Sequence, residues 1–175
     1  MSTSTPEPKI VEFGPFRIIG MNYVGKNEAG EIPDLWGRPN GFLARMSEVR
    51  MPEGAGDHAT GDHLAFGLCR CYPGATDGTF EYVAAVPAAA DAPIPDGMVE
   101  AAIGQSAYAV FESPTLKEIG ATWGAAMAWM GQQTKWRGFC GPDECDCANH
   151  PSFELYPPGY DDDGPLLIYM PVRPA

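Results

Sequence analysis

Basic residues are scarce in this chain, which has 11 Lys and Arg against 23 Asp and Glu and a formal charge of −12. From Gly138 to Val172 there is no Lys or Arg, while Asp143, Glu144, Asp146, Glu154, Asp161, Asp162 and Asp163 all fall in that stretch. A surface so poor in cations is badly suited to displacing the counterions of a phosphate backbone, which argues against direct nucleic-acid binding. It favours solubility and attracts cations. No apolar run reaches the roughly 18 residues that a membrane-spanning helix needs, so no membrane association is expected. The N-terminus has no basic region leading into an apolar one, so no secretory leader is read there and a cytoplasmic location is expected. Catalytic signatures are missing too. No Gly-rich phosphate loop follows a strand, no Gly-x-Ser-x-Gly elbow occurs, and His58, His63 and His150 sit in no triad pattern.

What the chain does have is β-prone, aromatic-rich sequence broken by turns. Its 175 residues suit a single domain spanning 1–175, and 21 Gly with 18 Pro imply short elements. Phe13–Val24 reads as a strand entered through a Gly-Pro turn. Between Glu31 and Val49 the apolar spacing is helical, but Pro39 and Gly41 interrupt it. The expectation there is a short turn carrying Trp36, then a helix from about Asn40 to Glu48. His63–Tyr72 and Thr79–Pro87 form a hairpin around an Asp-Gly step, and Ala88–Asp96 is a Pro/Ala linker.

The second half has the same order of elements. Met98–Ile103 and Ser106–Phe111 are strand material, and Ser113-Pro114 is expected to cap a helix. Leu116, Ile119, Trp123, Met127 and Met130 make its apolar stripe, with Trp123 as core and Trp129 off the stripe. A final hairpin pairs Ser152–Tyr156 with Leu166–Val172 across Gly159–Gly164. Two strand–helix–strand–strand units, about 10–87 and 97–172, predict an α+β fold. They give tandem βαββ repeats in a mostly antiparallel eight-stranded arrangement, with two main helices and a central ligand groove at the seam.

Glu154 is the chemical focus. Period two puts it on one face with Tyr156, and puts Phe153 and Leu155 on the other. A carboxylate on a covered, apolar hairpin must find a cationic partner or stay protonated. Aromatic faces with one carboxylate suit flat or lipophilic cations, each ring contributing about 0.5–2 kcal/mol. Trp36 and Trp129 fit core stripes poorly and are expected to line a cleft. Cys140, Cys145, Cys147 and His150, spaced C-x4-C-x-C-x2-H, are an alternative zinc loop, though the spacing is not a C-x2-C knuckle. The main reading is no metal and no cofactor. Cys69 and Cys71 are expected to be buried small hydrophobes.

In this order and spacing, a set of segments resembles the GyrI-like family, also called AraC-type effector-binding or SOUL-related, from Phe16 to Val172. They are Ile32–Trp36, Phe66–Cys69, Thr79–Val86, Tyr108–Phe111, Trp129, Phe153–Tyr156 and Ile168–Val172. The resemblance implies a groove in which Glu154 meets a ligand's positive charge and Tyr169 lines the same pocket. Trp36, Phe66, Tyr108 and Tyr156 match aromatic groove positions. It implies a stand-alone binding protein for lipophilic or cationic aromatic compounds, with no room ahead of the first strand for a DNA-binding domain. A hydrolase of reactive cyclopropane-type compounds is a second expectation, with Glu154 as general base and Tyr108 or Tyr169 assisting. A third is an acidic module that binds gyrase or another protein through Asp143–Asp146 and Asp161–Asp163. Departures from the family pattern fall at Glu112-Ser113-Pro114, Met130-Gly131 and the Cys-rich loop.

Overall fold

Gly14 and Pro15 split the first extended run in two. Strand β1 (Lys9–Phe13) ends there and β2 (Phe16–Gly25) starts anew. The structure is a computed structural model that describes residues 7–140 and 145–175. After β2 comes α1 (Glu31–Gly37), a true helix where only a turn was expected. Pro33 sits in its first turn, where a missing N–H costs no intrahelical bond. A short α2 (Phe42–Arg45) and a 3-10 turn (Met46–Glu48) occupy the segment expected to be helical. A two-residue pair, β3 (Gly56–Asp57) and β4 (Asp62–His63), precedes the hairpin of β5 (Ala65–Cys71) and β6 (Phe80–Pro87).

The second half begins with β7 (Val99–Ile103) and β8 (Ser106–Ser113). Ser113 is not a helix cap. It pairs with Leu166 in the sheet, and its hydroxyl donates to the Thr115 carbonyl at 2.9 Å. The ladder claims its backbone, so the helical segment opens later, with a 3-10 turn at Leu116–Glu118 before α3 (Ile119–Gln132). A short β9 (Trp136–Arg137), then β10 (Ser152–Tyr156) and β11 (Leu166–Pro174), complete the chain.

The main sheet runs β1-β8-β11-β10-β5-β6-β2-β7, with β9 added beside β11, and every pairing is antiparallel. That order is symmetric about the β10–β5 pair. Each half supplies a hairpin, a leading strand and a helix, and each sends one edge strand across to the other half. The tandem βαββ arrangement is thus the observed α+β fold. At the symmetric centre, Glu154 lies opposite Gly67.

Alternation along the strands divides the side chains into two layers. One face packs against the helices. In the first half it joins Tyr82, Ala84, Val86, Met21 and Ile19 to Leu35, Phe42 and Trp36. In the second half it joins Phe111, Ile168, Met170 and Val172 to Ala126 and Trp129. The opposite face gathers Phe66, Leu68, Val83, Tyr108, Phe153, Leu155 and Tyr169, closed by Phe13 and Phe16. On α3 the buried seam runs through Ala126 and Trp129, while Met127 is 61% exposed. Ile119, Trp123 and Met130 of the expected stripe do pack against this cluster, whereas Met127 does not, and small Ala126, which carries no strong apolar signal, takes a fully buried place instead. Among the described residues, no helix is long and apolar enough to cross a membrane.

Candidate functional site

Glu154 projects from β10 toward the helix face and is 8% exposed. The residue opposite it on β5 is Gly67, and that is a spatial requirement. A Cβ built at Gly67 would overlap the Tyr82 hydroxyl and stand 2.5 Å from Glu154 Oε2. The room left by the missing side chain is filled by the carboxylate and a phenol from the neighbouring strand.

Three neutral donors converge on this acid. The hydroxyls of Tyr156 and Tyr82 donate to Oε2 at 2.7 and 2.8 Å, and Trp123 Nε1 donates to Oε1 at 3.0 Å. Behind them, Trp36 Nε1 donates to the Tyr82 hydroxyl at 3.0 Å. Trp36 belongs to α1 and Trp123 to α3, so the two halves each contribute one indole to the seam. The Trp36 ring meets Tyr156 edge-on at 5.3 Å between centroids, and Tyr160 does the same from the far side at 4.9 Å. The Tyr160 hydroxyl is buried without a hydrogen-bond partner among the described residues.

No cation among the described residues pairs with Glu154. The contrast with Glu81 is instructive. That carboxylate, on β6, receives two Arg70 hydrogen bonds of 3.0 Å each. Burial therefore dominates at Glu154 and raises its pKa, opposed by the hydrogen bonds from Trp123, Tyr156 and Tyr82. Burial, with the nearby carboxylate second, also pushes Tyr82 well up. The same pair of causes raises Cys69, the small neighbour of this face. A carboxyl held this way takes a negative charge at a cost, and a cation brought against it would lower that cost.

Of the seven predicted groove residues, the structure brings together three: Trp36, Glu154 and Tyr156. Phe66, Tyr108 and Tyr169 lie on the opposite face. Tyr169 stands across from Phe153, not Glu154, and their rings stack at 4.8 Å. Tyr108 packs on the same Phe153 ring at 5.3 Å and gives its hydroxyl to the Gly104 carbonyl at 3.1 Å. Trp129 is buried edge-on to Phe111 at 5.7 Å, and the cavity it borders is not the one at Glu154. Two residues at the carboxylate were missed, Trp123 and Tyr82. Tyr82 alternates onto the helix face of a strand that was correctly read; only its register with β5 and β10 was lacking. Trp123 was assigned to core because it lies on an amphipathic stripe; it does pack against that cluster, and its indole N–H reaches the carboxylate as well.

The seam is closed at the carboxylate by its own rings. Two surface cavities among the described residues lie elsewhere, one lined by Pro8, Ile10, Trp129 and Trp136, the other by Val49, Met51 and His58.

With this geometry in view, similarity to known proteins becomes specific. The sequence pattern of Cass2, the integron-associated effector-binding proteins, matches residues 9–172. The chain belongs to this family. It lies within the GyrI-like group that the sequence motifs resemble, and the family's business is effector binding. The transcriptional regulator BrlR of Pseudomonas aeruginosa is 34% identical over 103 residues, 59% of this chain. The match spans one third of that regulator's length, 33%. SAV2435, solved bound to tetraphenylphosphonium, superposes with a TM-score of 0.61 at 19% identity, covering 95% of this chain and 94% of its own. The integron cassette protein VCH_CASS2 of Vibrio cholerae gives 0.59 at 13% identity, over 96% and 97%. At such identities the likeness is one of fold.

Proposed function

We propose that this protein binds lipophilic, aromatic cations, with Glu154 supplying the counter-charge and Trp36, Trp123, Tyr82 and Tyr156 the aromatic surround. One observation carries the reading. Glu154 is a buried carboxylate whose three hydrogen-bond donors are all neutral. Such a group is costly to ionise alone and gains most from a desolvated cation. The rings around it add cation–π attraction of about 0.5–2 kcal/mol each. A lipophilic cation sheds its hydration more cheaply than a metal ion or an ammonium. The formal charge of −12 draws cations toward the surface. Tetraphenylphosphonium, held by the similarly folded SAV2435, supports the same ligand class. Ligand entry would displace the rings that now cover the carboxylate.

Tryptophan fluorescence titration with tetraphenylphosphonium tests this. Saturable quenching is expected from the full chain, with little response to triphenylphosphine oxide, an uncharged relative of similar bulk. Equal response to both compounds would remove the role of charge.

The raised pKa of Glu154 favours a second reading, general-base catalysis on an electrophilic ligand. Its assisting hydroxyls would be those of Tyr156 and Tyr82, since Tyr108 and Tyr169 face the other layer. Turnover of an epoxide or cyclopropane substrate, lost in Glu154→Gln, would favour it over binding alone.

A further inference from the structure

Four of the chain's five cysteines meet at one point, away from Glu154's hydrogen-bond network. The Sγ atoms of Cys71, Cys140, Cys145 and Cys147 all lie within 4.8 Å of one another. Cys71 closes β5, whereas the other three come from the loop between β9 and β10. We propose that these four cysteines form a structural tetrathiolate zinc site that ties this loop to the end of β5.

One separation already has the length the ion needs, and two shorter ones would open by less than about 1 Å around it. Zinc–sulfur bonds of about 2.3 Å give a tetrahedron with edges of about 3.8 Å. Cys71 Sγ lies 3.9 Å from Cys140 Sγ and 3.0 Å from Cys145 Sγ, and Cys145 Sγ lies 3.1 Å from Cys147 Sγ. The Cys71 backbone N–H donates to Cys147 Sγ at 3.1 Å, the kind of bond that stabilises a metal-bound thiolate. Ordinary packing does not explain the cluster, because Cys71, Cys140 and Cys145 are exposed. The loop is also shaped before any metal arrives. Cys140 and Cys145 face each other across an antiparallel bridge, and Asp146 N–H bonds the Phe139 carbonyl at 3.1 Å.

The sequence alone pointed to His150 as the fourth ligand. Instead His150 stacks on Phe139 at 4.1 Å and faces Asp146 at 3.7 Å. Cys71, expected to be a buried hydrophobe, takes the fourth position. That substitution removes the difficulty of the loop spacing, since a local C-x-C segment need supply only part of the tetrahedron. Four thiolates leave no open coordination position, so the role is structural. Soft sulfur donors in tetrahedral array select zinc over hard cations.

In the structure Cys140 and Cys145 are joined as a disulfide. A cellular dithiol delivers two electrons and two protons to that bond and becomes a disulfide itself, leaving four thiols. Zinc then binds four thiolates and releases four protons to solvent. Cys71 shares its strand face with Gly67, so the staple fixes the loop leading into β10 and thereby the strand that carries Glu154.

Full-length protein, purified reduced and without chelator, tests the site by elemental analysis and by titration with cobalt. One zinc per chain is expected, with four thiols becoming reactive to a disulfide reagent when zinc is chelated. Cobalt should give the intense thiolate charge-transfer and tetrahedral visible bands of a four-sulfur site. Cys71→Ser should lose the stoichiometric zinc, while Cys69→Ser and His150→Ala keep it. Zinc retained in Cys71→Ser and lost in His150→Ala would overturn the assignment. So would a reduced wild-type chain that takes up neither zinc nor cobalt, or one that holds iron instead. The wild-type thiol count and cobalt spectrum remain decisive if Cys71→Ser fails to fold.

Discussion

Trp123 donates its indole N–H to Glu154 across 31 positions of sequence, at 3.0 Å, and so links α3 to the centre of the sheet. The bond is made to the oxygen that the two tyrosines leave free. Replacing Trp123 with Phe removes a donor that lowers the Glu154 pKa, so that pKa should rise further. Infrared spectroscopy of the carboxyl stretch against pH reads this directly. The lost bond to the charged form is worth about 1.5–3 kcal/mol, and cation affinity should fall with it.

Stability should depend on pH through the same carboxyl. Its folded-state pKa is raised above 4.5, so the folded state holds the proton more tightly than the unfolded chain. The stability this contributes is fully present below about 4.5 and is lost as pH rises through the folded pKa. Denaturant unfolding at a series of pH values should show Glu154→Gln flattening that part of the decline. The variant should gain relative to the wild type as pH increases. Parallel wild-type and variant curves would show that Glu154 does not titrate in this way.

Position relative to the sheet separates tyrosines that look alike in sequence. Tyr156→Phe removes a 2.7 Å bond to Glu154 and should weaken cation binding severalfold. Tyr169→Phe and Tyr108→Phe act on the other layer and should leave binding unchanged, Tyr108→Phe costing roughly 0.5–1.5 kcal/mol of stability for its bond to Gly104. Titration of the three variants with tetraphenylphosphonium distinguishes them. Loss of binding in Tyr169→Phe with Tyr156→Phe unaffected would place the ligand on the opposite face.

Gly67 should tolerate no side chain. Gly67→Ala presses a methyl group into the Tyr82 hydroxyl and Glu154, and a cost of about 1–3 kcal/mol is expected from such overpacking. Thermal unfolding measures it. Gly124→Ala is the control: it sits on α3 with nothing within 4 Å of its Cβ position, and should be neutral or slightly stabilising.

How far these features could be read beforehand follows from range. The strands around Phe66, Tyr82, Glu154 and Tyr169 announce themselves through local alternation, and the two βαββ halves follow from element order. Facing partners are another matter. Tyr169 was placed beside Glu154, but the register pairs it with Phe153, and a shift of one residue moves a side chain to the other layer. Trp123 and Tyr82 reach Glu154 over 31 and 72 positions, a separation that no short window spans. Cys71 escaped for the same reason, since its sulfur neighbours lie 69 to 76 positions on. The acidic turn Asp161–Asp163, expected in a protein-binding reading, is exposed, whereas Asp143 and Glu144 lie outside the described residues.

Calorimetric titration of tetraphenylphosphonium into wild type and Glu154→Gln, repeated from pH 5 to pH 8, tests the counter-charge most directly. Wild-type affinity should tighten as pH rises and the carboxyl ionises, while the variant binds about tenfold to a hundredfold more weakly at pH 8 and shows no such trend. Equal affinities at every pH would contradict the assignment of Glu154 as the group that meets the cation.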